Sequence, residues 1–165
     1  MKVLGLGSPD ELRVRVAHSE REVLVGVLRN LRAGATRAVA TVYESTPPER
    51  TRQIDDRHDH LRAIDALLVQ VDQHGPNDRT EVVVVGDTEL MRIVIHDSAR
   101  EAIRLLQDAH ASYEERLTPK TAAALIAAAR AALAWTETLI AADRVDLGWP
   151  QHPCTGDPVT DPHNA

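Results

Sequence analysis

Two stretches of this chain follow one plan, and a plan repeated in tandem restricts the available folds more than any single motif does. Residues 12–16 alternate apolar and charged side chains as a half-buried strand does, then run through Ala17-His18-Ser19-Glu20 into a helical pattern. Residues 82–85, all valine, run through Gly86-Asp87-Thr88-Glu89 into a second helical pattern. In each half another helix follows, opened by Thr46-Pro47-Pro48-Glu49 in the first and by Thr118-Pro119 in the second. The sequence therefore predicts a mainly α (α+β) fold: two tandem β-α-α units, 12–74 and 81–143, whose four long helices form one bundle domain with two short strands. Strands this short do not stand alone, so they are expected side by side, related by an approximate twofold axis. Residues 1–11 are left as an N-terminal segment and 144–165 as an extended, proline-rich tail.

The helix boundaries follow from capping chemistry. Ser19-Glu20-Arg21-Glu22 reads as a capping box, followed by Val23, Leu24, Val27, Leu28 and Leu31 on one face. The same face continues past Gly34 to about Glu44, with a kink expected near the glycine. In the second helix Ile54, Leu61, Ile64, Leu68 and Val71 recur at intervals of three, four or seven residues, a narrow stripe. Gly75-Pro76-Asn77-Asp78 ends it and marks the seam between the units. A third helix is expected from about Thr88 to Arg116. In the fourth, Leu125, Ile126, Ala129, Ala132, Leu133, Thr136, Leu139 and Ile140 are expected to line the packed side. Beyond Arg144 the periodicity fails, and Trp149 is the residue expected to dock the tail.

Composition narrows the function. The aromatic content is 2%, with no Phe, so the core is expected from Leu, Val, Ile and Ala. A net charge of −6 opposes a nucleic-acid partner, although residues 1–40 carry seven basic side chains against four acidic ones. Arginine outnumbers lysine seventeen to two, which suits a GC-rich bacterial genome. Cys154 is the single cysteine, which excludes an internal disulfide and a multi-cysteine zinc site. No stretch reads as apolar enough to cross a bilayer and no secretory signal is evident, so a cytoplasmic protein without a membrane partner is expected.

The richest polar cluster is Asp55-Asp56-Arg57-His58-Asp59-His60. On a helix Asp56 stands beside His60 and Asp55 beside Asp59, so Asp55, Asp56, His58, Asp59 and His60 form the candidate divalent-metal set. A solvated helix face is the simpler reading of the same run. The helical metal motifs His-Glu-x-x-His and Glu-x-x-His are absent, as are the signatures of P-loops, dinucleotide folds and serine hydrolases. His96 and His110 are expected on one apolar band with Ile103 between them, about 21 Å apart along the third helix. No catalytic residue and no cofactor is assigned. Two functional expectations result: a small non-enzymatic interaction or regulatory protein acting as a homodimer, or a metal-dependent helical-bundle enzyme or sensor using the Asp55–His60 cluster. The dimer contact is expected at the valine strand or the third helix, because the valines project to both faces while one bundle covers only one.

Overall fold

The computed structural model describes residues 2–8, 10–42, 47–72 and 81–146. The chain order is β1 (Lys2–Ser8), β2 (Glu11–Val16), α1 (His18–Val42), α2 (Pro47–Asp72), β3 (Val82–Asp87), α3 (Thr88–Glu115) and α4 (Pro119–Asp146). The fold is mainly α, with four long helices beside a small antiparallel sheet. β2 and β3 lie next to each other, and Val14 faces Val84 at the centre of the pair. An antiparallel pair carries a local twofold axis between its strands, and about Val14 and Val84 it matches Leu12 with Val82 and Val16 with Gly86. α1 packs on α2, α3 on α4, and α1 on α3 across the middle.

The strand pattern sets the core. Leu12, Val14 and Val16 of β2, with Val82 and Val84 of β3, turn toward the helices and are buried, while Arg13 and Arg15 stay exposed on the other face. Alternation with a period of two is what a sheet covered on one side requires. The helices meet this layer with Leu24 and Leu28 of α1, Ile64, Leu67 and Val71 of α2, Val94 and Ile95 of α3, and Trp135 of α4.

Equivalent positions in the halves are buried together. Glu20, Arg21, Leu24 and Leu28 of α1 match Leu90, Met91, Val94 and Ser98 of α3, every one of them buried. Ile64, Leu67 and Val71 of α2 match Trp135, Thr138 and Ala142 of α4 in the same way. Thr138 satisfies its buried hydroxyl by donating to the Ala134 carbonyl at 2.9 Å.

Several expectations need correction. Residues 1–11 are not a plain leader, because β1 pairs with β2 and makes the sheet three-stranded, in the order β1-β2-β3. Gly5 and Gly7 conceal the strand pattern there, and the register shifts between Val3 and Gly5 and between Leu6 and Ser8. α1 starts at His18, so Ser19 is not its cap. Glu20 instead reaches back to accept the Ala17 N–H at 2.9 Å, while its own N–H donates to the Ala17 carbonyl at 3.0 Å. Gly34 does not interrupt α1, which runs without a break to Val42. α4 continues to Asp146, past the expected start of the tail. Thr46, the 75–78 loop, Trp149 and Cys154 lie outside the described residues.

The two outer edges of the β2–β3 pair are closed differently. β1 occupies the free edge of β2. At β3 the Gln70 side chain of α2 takes the place of a neighbouring strand: its amide donates to the Val85 carbonyl at 2.9 Å and its oxygen accepts the Val85 N–H at 2.8 Å. An open strand edge invites pairing with another chain, and this amide blocks it where Val85 faces outward.

Candidate functional site

The Asp55–His60 cluster lies on the solvent side of α2. Asp55, Asp56, Asp59 and His60 are exposed and His58 is half-buried. Asp59 is held by Arg62, which donates to its carboxylate and whose own protonated form is thereby stabilised. Arg57 reaches the other way and ties α2 to α1, donating to the Ala38 carbonyl and to Thr41 Oγ1. The run therefore divides between solvent and an inter-helix tether. Among the described residues no three His, Cys, Asp or Glu side chains converge as a metal would require.

The third helix also differs from expectation. His96, Ile103 and His110 do share one face, but that face is exposed rather than interior. His96 stands 3.7 Å from Asp97 and His110 3.7 Å from Glu114. Between them Arg104 clamps Glu101 at 2.6 Å and Asp108 at 2.7 Å. The hydrogen bond from Arg104 holds the Glu101 carboxyl below its ordinary range, and the same contact raises the Arg104 guanidinium further above its own.

A groove of about 780 Å³ opens between α1, α2 and α3. Val27, Leu31, Ala35 and Ala38 make its floor, and His60, Asp97, Arg100, Glu101 and Arg104 stand around it. His60 is the one member of the predicted metal set that reaches it. The groove is a wide cleft whose charges already neutralise one another in part, and it gathers no group toward a common reacting atom.

Three exposed aliphatic side chains stand in line on α4, where the sequence reading chose the wrong side. Ile126, Leu133 and Ile140, expected in the core, are 53%, 61% and 48% exposed. The buried side is instead Ala132, Trp135, Thr138 and Ala142, with Leu125 and Leu139 half-buried beside it. Ile126, Arg130, Leu133, Glu137 and Ile140 follow one another at alternating steps of four and three, so they form a single straight stripe pointing away from the bundle. The expectation that no segment is apolar enough to cross a bilayer also needs correction. Among the described residues one helix, 119–143, is long and apolar enough to do so by length and composition.

The outer face of the sheet is the second exposed patch. Val83 is 45% exposed there, next to the exposed Arg13 and Arg15, and Arg15 meets Glu81 at 3.5 Å. Apolar and charged side chains share this face, as they do the stripe on α4.

No family model, no curated protein and no solved structure matches this chain.

Proposed function

We propose that this chain is a small, non-enzymatic interaction or regulatory module that acts as a homodimer, with a cytoplasmic setting. The observation that carries the reading is the outer stripe of α4. Three large aliphatic side chains lie in line along about 21 Å of helix, each at least 48% exposed, on a helix whose opposite side is already packed. Aligned exposed aliphatic side chains of this kind mark a contact with another macromolecule. A catalytic reading has no comparable support among the described residues, where no three His, Cys, Asp or Glu side chains converge.

Sedimentation equilibrium or light scattering at tens of micromolar tests the proposal. The expected result is a species of twice the 18.1 kDa chain mass. A monomer that persists across the concentration range contradicts it.

A further inference from the structure

The homodimer reading leaves open which surface makes the contact, and the inference here rests on that reading. We propose that the outer face of α4 docks antiparallel on the same face of a second copy, about a twofold axis at Leu133. The stripe is nearly palindromic in chemistry: Ile126, Arg130, Leu133, Glu137, Ile140. An antiparallel copy centred on Leu133 sets Leu133 against Leu133 and Ile126 against Ile140. It also brings each Arg130 within one residue, about 1.5 Å of rise, of the level of the other copy's Glu137. A parallel copy in register would instead set Arg130 against Arg130 and Glu137 against Glu137. The charge order therefore selects the antiparallel arrangement, and the two equal pairs it forms are what an isologous contact requires.

Two further observations agree. No described residue pairs with Arg130 or Glu137 within the chain, so both are available to a partner. Ala123 and Ala129 flank the stripe and are exposed, and such small side chains let a second helix axis approach closely. The valine strand is a poorer contact, because Gln70 closes its edge at Val85 and Arg15 on its outer face is already met by Glu81. A membrane is a poorer partner for α4 as well. Arg130 sits one residue from the midpoint of the 119–143 span, on the face that lipid would cover and too far from either end to reach the headgroups, and Glu137 lies on the same face inside the span.

The test uses the full chain with Cys154→Ser, so that introduced cysteines are the only thiols. Leu133→Cys should cross-link to itself on mild oxidation, whereas Val83→Cys on the outer face of the sheet should not. In the cysteine-free chain, Arg130→Glu and Glu137→Arg alone should each weaken the dimer by about tenfold or more, since each converts two attractive contacts into repulsive ones. The double variant Arg130→Glu with Glu137→Arg should return affinity to within a few-fold of the starting chain. Circular dichroism and melting temperature verify that each variant is folded, and these positions are exposed enough to leave both unchanged. A dimer that ignores both charge changes, or that cross-links at residue 83 and not at 133, overturns the α4 contact while leaving the homodimer reading intact. A monomer at every concentration overturns both. Co-flotation of the monomer with phosphatidylcholine–phosphatidylglycerol vesicles would assign the stripe to a lipid surface and likewise overturn the proposal.

Discussion

α2 and α4 hold equivalent places in the two halves, yet they differ most on the side turned away from the core. Inward, Ile64, Leu67 and Val71 correspond to Trp135, Thr138 and Ala142, all buried. Outward, Asp55, Asp59 and Arg62 of α2 stand where α4 has Ile126, Arg130 and Leu133. The outer face of α2 thus sets the Arg62–Asp59 pair beside the exposed Val69, and that of α4 presents an aliphatic row with two charges that no described residue pairs. Both outer faces lie away from the packed core, so packing does not require the α4 stripe to be apolar. The stability of the bundle is decided on the inner faces, while the outer face of α4 is available to decide what the molecule binds.

The same contrast appears where the helices meet the sheet. Val16 and Gly86 are equivalent positions at the ends of β2 and β3. Val16 is buried without conflict, but a Cβ on Gly86 would lie 2.8 Å from Leu67 Cδ2 and 3.1 Å from Met91 Cγ. α2 presses closely on β3 and fixes Gln70 against its edge, whereas α4 lies toward β1 and has Ala141 at the place of Gln70. The second strand of the repeat is therefore sealed by a side chain and the first by another strand.

The largest change should come from the inner faces. Trp135→Ala removes the one aromatic buried in the core among the described residues and should cost about 3–5 kcal/mol, with Leu67→Ala on α2 costing about 2–5 kcal/mol. Both would be read by urea unfolding. A loss under 1 kcal/mol for Trp135→Ala would show that α4 is not packed as described. Gly86→Val should cost about 1–3 kcal/mol by overpacking against Leu67 and Met91. The reciprocal Val16→Gly should also destabilise, through lost burial and added chain freedom, so a neutral result at Gly86 would break the asymmetry between the strand ends.

The repeat itself was legible because it rests on local signals: alternation in 12–16, the valine run at 82–85 and Pro at two helix starts. The face of α4 was not. Alanine surrounds that helix on nearly every side, so hydrophobic periodicity does not choose between Ile126, Leu133 and Ile140 on one side and Trp135 on the other. Packing volume chose, because the buried Trp135 fills core space that alanines would leave empty. β1 was hidden for a different reason, since Gly5 and Gly7 erase the alternation by which a strand is recognised. The Asp55–His60 residues were legible as a cluster, but whether their side chains point to a common centre is a tertiary property. Arg57 turns to α1, and Arg62 claims Asp59 within α2 itself.

Smaller effects refine the comparison. Gln70→Ala should cost about 1 kcal/mol by leaving the Val85 peptide to water, and should speed hydrogen exchange at the Val85 amide. Unchanged exchange would mean that the edge is closed by something else. Adding Zn, Mn or Ni to the purified chain should leave its melting temperature unchanged, because the α2 carboxylates and imidazoles do not converge; a shift abolished by Asp56→Asn and His60→Gln would restore the metal reading. The smallest effect is electrostatic. Glu101 has its folded pKa lowered by Arg104, so its contribution to stability is present above the ordinary glutamate range and fades as pH falls through the lowered value. Glu101→Gln should therefore melt slightly below the parent at pH 7 and together with it at the acid end of that window. A gap that grows on acidification would contradict the Arg104 contact.

The comparison between α2 and α4 reduces to one measurement. Sedimentation equilibrium would be run on the parent chain, on Leu133→Asp and on Arg62→Asp, the same substitution at equivalent places on the two helices. The account predicts a dimer for the parent and for Arg62→Asp, and a folded monomer of about 18.1 kDa for Leu133→Asp. A dimer that survives Leu133→Asp, or a parent chain that never dimerises, would contradict it.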